Sequence, residues 1–314
     1  MRFKILFTIL LLPLLLTAEN ENTGTTGFAF LKVSYSARAS AMGGAFSGLA
    51  DDASAVFFNP AGLNQLKGKK AEVTYMNYLE GVNCGSAVYA YPYNEETSLA
   101  VFVQGLSASE DKTLVDAYGQ YAGKEGTFGV SDFLIGISFA RKLHSILDAG
   151  INIKYLLESL DGRNASVAAF DIGLMHQTTN ENLKVGIVLR NIGKQLSYYT
   201  ETEWEEELPM TATLGFNLNP IEQLHANLDI YKPLNSDFSG KLGLEYTYQQ
   251  IIAFRCGYKS NASDWKAGGD NELFAGLSLG FGLKLYQYNL KMDYALVSYG
   301  DLGYVNQITI GYSF

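Results

Sequence analysis

"VNQITIGYSF", residues 305–314, alternates between two kinds of residue. Ile308, Ile310, Tyr312 and Phe314 fall on even positions, and Gln307, Thr309, Gly311 and Ser313 on odd ones. Successive side chains of a strand point to opposite faces, so one face here is greasy and the other polar. "YQYNLKMDYALV", residues 286–297, repeats the pattern: Tyr286, Tyr288, Leu290, Met292, Tyr294 and Leu296 stand opposite Gln287, Asn289, Lys291 and Asp293. A sandwich in water also alternates. A transmembrane barrel differs in turning the apolar face outward to lipid and the polar face toward a lumen.

Applied to the rest of the chain, the same alternation gives strands near 70–79, 84–92, 97–106, 131–142, 147–158, 165–176, 183–192, 209–218, 222–231, 238–248, 250–258, 273–282, 285–297 and 304–314. That is fourteen, an even number. A weaker stretch, "LVDAYGQYA" at 114–122, reads as part of a loop. Pro92, Pro209, Pro220 and Pro233 fall at strand ends or in connections, where a missing amide breaks no ladder.

The connections sort into two kinds. "YNEET", "KLHSI", "TTNEN", "NPIE", "QQ" and the junction near Lys284 are short, and they alternate with connections that include 107–130, 193–208 and 259–272. Short turns on one rim and long loops on the other are the pattern of an outer-membrane barrel. With the long loops outside, both termini are periplasmic. The closing aromatics Tyr312 and Phe314 resemble the signal that barrel-assembly machinery reads, so that machinery and outer-membrane lipid are the expected partners.

The first residues agree with export. Arg2 and Lys4 precede the apolar run "ILFTILLLPLLLT", and Leu16 and Ala18 have the spacing of a cleavage site, so residues 1–18 read as a signal peptide. A spanning helix needs about 20 apolar residues, more than this proline-broken run supplies. The formal charge of the chain is −9, and loss of Arg2 and Lys4 takes it to −11. Such an acidic chain disfavours nucleic acid and anionic lipid as partners.

Residues 34–56, "SYSARASAMGGAFSGLADDASAV", contain 15 Ala, Gly or Ser among 23 and precede the first strand. Small side chains allow close backbone approach in a confined space, so residues 19–66 are expected to fold inside the lumen as a hatch, with the barrel wall at 67–314. In "FFNPAGL", Asn59 caps a short helix with Pro60 at its first position and Ala61 following. Phe57 and Phe58 fix it by packing, and Arg38 has Asp51 or Asp52 as a partner. Lumen parity collects ionisable residues of both signs: Lys154, Asp171, Arg190, Asp229, Glu245, Arg255, Lys291 and Asp293. Charges kept from water must be paired, so these are expected to form an internal network.

"FLKVSYSARASAMGGAFSGLADDASAVFFNPAGL" resembles the N-terminal signature of the PorV/PorQ family of bacterial outer-membrane proteins, which are similar to the FadL fatty-acid transporters and share the Asn-Pro-Ala motif. "SDFLIGISFARKL", "LKVGIVLRNIG" and the final "YALVSYGDLGYVNQITIGYSF" extend the resemblance over nearly all of the mature chain. It implies a fourteen-stranded barrel with an N-terminal hatch. It also implies two competing roles: type IX protein secretion, with secreted proteins or secretion components as partners, or uptake of a hydrophobic small molecule. Secretion stands ahead because the signature is nearer to PorV/PorQ.

Catalysis finds little support. An enzyme needs a nucleophile or activated water beside a base, and His144, His176 and His225 all map to short turns with no ligand spacing. No cofactor or metal is expected. Cys256 shares parity with Phe254 and faces lipid, while Cys84 opens the second strand. The acidic loop "YYTETEWEEELPM" offers Tyr198, Tyr199 and Trp204 as a surface for a partner, since aromatic anchors carry much of the energy at interfaces.

Overall fold

The structure, a computed structural model, describes residues 26–201, 204–260 and 274–314. The expected signal segment 1–18, residues 19–25 and most of the connection 259–272 lie outside the described residues. Fourteen strands follow one another: β1 Lys70–Asn77, β2 Asn83–Pro92, β3 Thr97–Val115, β4 Tyr121–His144, β5 Leu147–Leu160, β6 Arg163–Gln177, β7 Leu183–Ser197, β8 Thr211–Ile221, β9 Leu224–Pro233, β10 Ser239–Tyr248, β11 Ile252–Lys259, β12 Leu277–Leu285, β13 Leu290–Ser298 and β14 Tyr304–Ser313. Each pairs with its sequence neighbours in antiparallel register. β1 also pairs with β14, from Lys70 opposite Ser313 to Asn77 opposite Asn306, and this closes the barrel.

Closure removes every edge from the wall, which a sheet in hydrocarbon requires. The wall is inverted relative to a soluble protein. Along β4, Phe133, Ile135, Ile137 and Phe139 face out and are exposed, whereas Asp132, Leu134, Ser138 and Ala140 face in and are buried. The final strand obeys the parity that its sequence announces: Ile308, Ile310 and Tyr312 are exposed, and Gln307 and Thr309 are buried. An exterior of this kind has no favourable place in water and matches a lipid core.

Residues 34–66 run back inside this wall. A short helix, α1 (Ala37–Ala41), packs against β11 to β14, and the 3-10 turn Pro60–Gln65 packs against β4, β5 and β6. Almost all of residues 35–63 are buried.

Three stretches depart from the sequence reading. Residues 107–130 are not a loop: β3 and β4 continue through them as a ribbon whose turn is 116–120, the middle of "LVDAYGQYA". The ribbon stands clear of the neighbouring strands and is exposed on both faces, so it carries no apolar-polar alternation to announce it. β13 begins at Leu290 rather than 285, because Tyr286–Tyr288 form a 3-10 turn that Asn289 ends in the left-handed conformation at φ 54°. Tyr286 and Tyr288 are exposed there as turn residues. β12 likewise begins at Leu277 rather than 273.

Candidate functional site

The luminal segment is built from capped short turns. Ser36 Oγ accepts from Ala39 N at 3.3 Å to start α1, and Asp52 Oδ1 accepts from Ser54 N at 3.1 Å to start the turn Ala53–Phe57. Asn59 Oδ1 accepts from Ala61 N at 3.2 Å, with Pro60 preset at the first position of the next turn. The Asn59 amide has a second task. Its Nδ2 donates to Ser47 O at 3.0 Å and to Leu174 O of β6 at 3.1 Å, so one fully buried side chain joins two parts of the segment to the wall. Phe58 meets Phe46 edge to face at 5.3 Å, and Phe57 meets Phe102 of β3 at 5.6 Å.

Glycines in the wall make room for this backbone. A Cβ on Gly173 would stand 2.1 Å from Asn59 Oδ1, one on Gly186 2.1 Å from Ser47 O, and one on Gly257 2.1 Å from Gly43 N. Glycine inside a strand weakens it unless another backbone must come close, and that is the situation here. Sequence reading passed over these positions, although glycines in strand interiors on lumen parity were the available signal. Gly186→Val suits β7 as a strand residue but overpacks the contact by about 1 to 3 kcal/mol. The expected result is unchanged heat-modifiable migration of the barrel on gels with faster protease cutting within residues 34–66.

Charge ties the segment to the opposite wall. Arg38 reaches Asp51 at 2.5 Å, Asp52 at 3.0 Å and Glu245 of β10 at 2.7 Å. Glu245 also receives Arg255 of β11 at 2.5 Å, and Arg255 continues to Asp293 of β13 at 2.8 Å. Lys291 of β13 lies 3.0 Å from both Asp52 and Asp293 and 3.7 Å from Glu72 of β1. Burial opposes ionisation of Asp52, but Lys291 and Arg38 outweigh it and hold its carboxyl well below the usual range. A carboxyl lowered on folding stabilises above its unfolded value near pH 4, and that contribution is lost only as the pH falls through the depressed value. This lock therefore persists in mild acid.

A second group sits where β6 and β7 are irregular. Arg190 and Asn191 together stand opposite Asp171, a bulge with Asn191 at φ 60°. Asp171 accepts from Asn191 N at 2.8 Å, from Lys154 Nζ at 2.6 Å and from Asn152 Nδ2 at 2.8 Å. Asn152 Nδ2 also donates to Val56 O at 2.7 Å, and Arg190 Nη1 donates to Phe57 O at 3.2 Å. Asp229 of β9 accepts from Phe46 N at 3.2 Å and Ser47 N at 3.0 Å. The eight lumen-parity residues thus divide among three attachments of the segment rather than forming one network.

The other sequence candidates are scattered. Trp204 is 77% exposed, but Tyr199 turns inward, stacks on Phe28 at 6.4 Å and donates to Glu158 Oε1 at 2.5 Å. Covering the Phe28 ring removes apolar area from water, so Tyr199 is a packing residue rather than an exposed anchor; Tyr198 is half-buried. Phe314 packs edge-on against Tyr312 at 4.9 Å and Tyr89 at 5.9 Å. Cys84 is buried, Cys256 is exposed, and both are free. His144, His176 and His225 lie at the rim that carries Phe314; Phe28, stacked on Tyr199, lies toward the opposite rim, so the two ends of the described chain do not share a rim as the sequence led one to expect. No metal-holding group of His, Cys, Asp or Glu occurs among the described residues.

Between the luminal segment and the far rim lies a cavity of about 450 Å³. Phe57, Phe58, Met76, Leu208, Tyr231 and Val305 supply much of its apolar lining. Lys32, Arg190, Lys241 and Lys259 supply its charge.

No protein-family model matches the chain, and no curated protein matches it. Solved structures do. The toluene transporter TbuX of Ralstonia pickettii superposes with a TM-score of 0.61 at 13% identity, over 90% of this chain and 98% of that one. A monoaromatic hydrocarbon channel, CymD, gives 0.62 at 15% over 90% and 98%. A Pseudomonas aeruginosa FadL homologue gives 0.59 at 11% over 90% and 99%. At these identities the likeness establishes the fold, and the chain has the fourteen-strand barrel architecture of FadL-like outer-membrane proteins.

Proposed function

We propose that the chain is a bacterial outer-membrane channel that takes up a hydrophobic small molecule, with residues 34–66 as its plug and its C-terminus on the periplasmic side. The observation that carries this reading is the cavity, held between the luminal segment and the far rim and lined by Phe57 and Phe58 of that segment. Concave, mainly apolar sites with a few placed polar groups are what small-molecule binding uses. The solved barrels it is similar to are named for toluene and monoaromatic hydrocarbons, which supports uptake over the secretion role that the N-terminal signature favours. Deleting the gene tests the two directly. Uptake of a hydrophobic compound should fall while surface proteins remain in place; exported proteins held back in the periplasm, with normal uptake, would return the secretion reading.

A further inference from the structure

Asp132 of β4 and Glu158 of β5 stand directly opposite each other on the inner face of the wall. They lie just above the apolar band, which runs from Phe133 to Phe139 on β4 and from Ile151 to Leu157 on β5, and close to the outer turn at 161–162. The two carboxyls are within hydrogen-bond reach of each other, and Asp132 Oδ1 is buried with no donor beside it. Among the described residues no lysine, arginine or histidine comes within ion-pair distance of either. Lys154, Lys112 and Lys194 on strands nearby have other partners, in Asp171, Asp161 and Glu205. The other titratable groups that face the pair are Tyr35 of the luminal segment, Cys84 of β2 and, from the connection 198–210, Tyr199 and Glu206. None of these is basic.

Two carboxyls in contact with no cation beside them repel strongly if both ionise, and one proton held between them removes that repulsion. Burial and the facing Glu158 accordingly push the Asp132 carboxyl up to about 7. The pair is tied to the outer connection. Tyr199 donates to Glu158 Oε1 at 2.5 Å and stacks on Phe28, which is buried beneath it. Further along, Glu206 N donates to Gln195 Oε1 at 2.9 Å, and Leu208, Pro209 and Met210 line the cavity. We propose that Asp132 and Glu158 share one proton as a latch for this connection: while it is held, Glu158 stays in place to receive Tyr199, and when it passes to water the half-buried Glu158 turns outward, Tyr199 leaves Phe28 and the outer side of the cavity opens. A carboxyl raised in the docked state favours docking most in acid. That advantage shrinks as the pH rises from the free value of about 4 and is gone above about 7. The latch belongs to the wall and its outer connection, and it holds whatever the lumen carries.

Hydrogen exchange on the full-length protein in nanodiscs tests it at the Glu206 amide, with each rate divided by the intrinsic rate at that pH. Protection should be about tenfold greater, or more, at about pH 5 than at about pH 8. Asp132→Asn keeps a donor toward Glu158 and has no proton to lose, so its protection should stay at the acid level at both pH values. Glu158→Gln should behave in the same way, with barrel migration on gels confirming that each variant folds. Tyr199→Phe keeps a ring over Phe28 but gives Glu158 no hydrogen bond, so its protection should be low at both pH values. Wild-type protection that is equal in acid and base, or a pH response that survives in Asp132→Asn and Glu158→Gln, overturns the shared proton. A full pH response in Tyr199→Phe overturns the tie between the pair and the connection.

Discussion

Arg38→Ala should free the luminal segment from the wall while the barrel stays folded. The guanidinium is the shared partner of Asp51, Asp52 and Glu245, so its loss leaves two carboxylates of the segment facing one of the wall in a buried site. Breaking a buried pair by removing one partner costs about 3 to 5 kcal/mol. The wall keeps its ladders, since Arg255 still holds Glu245 and Asp293. Expected readouts are raised permeability of reconstituted liposomes to small solutes and rapid protease cutting within residues 34–66, with heat-modifiable migration unchanged. Arg38→Lys should recover only part of the closure, because one ammonium cannot reproduce a planar fork that spans three carboxylates. Wild-type tightness in Arg38→Ala would mean that the remaining attachments, Lys291 to Asp52 and those at Asp229, Asn59 and Asn152, suffice.

Ile310→Arg should act on the wall instead. Ile310 faces out from β14, flanked by Val73 of β1 and Met292 of β13 in register, all three exposed. A cation on that face costs about 2 to 4 kcal/mol near the bilayer midplane. The folded fraction recovered in lipid should drop accordingly, read as loss of the heat-modifiable band. The neighbouring Thr309→Ser should fold normally, because it points inward and keeps the hydroxyl that accepts from Ala37 N at 3.0 Å. Equal losses from both changes would show that the two faces of β14 are not the ones described.

Much of this was readable in the sequence for a physical reason: a lipid-facing wall must alternate, and alternation is local. Ile308, Ile310 and Tyr312 give away their strand without any knowledge of the strand beside them. The ribbon at 107–130 was hidden because both its faces meet water and nothing selects one kind of residue for each. Arg38 announced its neighbours Asp51 and Asp52 through proximity in the chain, whereas Glu245 lies 207 residues away and only barrel closure brings it near. Gly173, Gly186 and Gly257 look like weak points in their strands until the segment they admit is in place. The cavity draws Arg190, Lys241 and Tyr231 from separate strands, so no spacing in the chain foretells it.

The packing of residues 34–66 within the barrel is the point on which the channel, its closure and its ligand all depend, and amide hydrogen exchange in nanodiscs reads it directly. Ala37 N is held by Thr309 of β14, Gly43 N by Ser278 of β12 at 2.9 Å, and Phe46 N and Ser47 N by Asp229 of β9. These four amides should be protected by several orders of magnitude relative to an unfolded peptide, approaching the amides of the barrel strands, and Arg38→Ala should lower that protection selectively. Exchange of all four at the rate of a free chain, beside a protected barrel, would contradict a segment folded in the lumen.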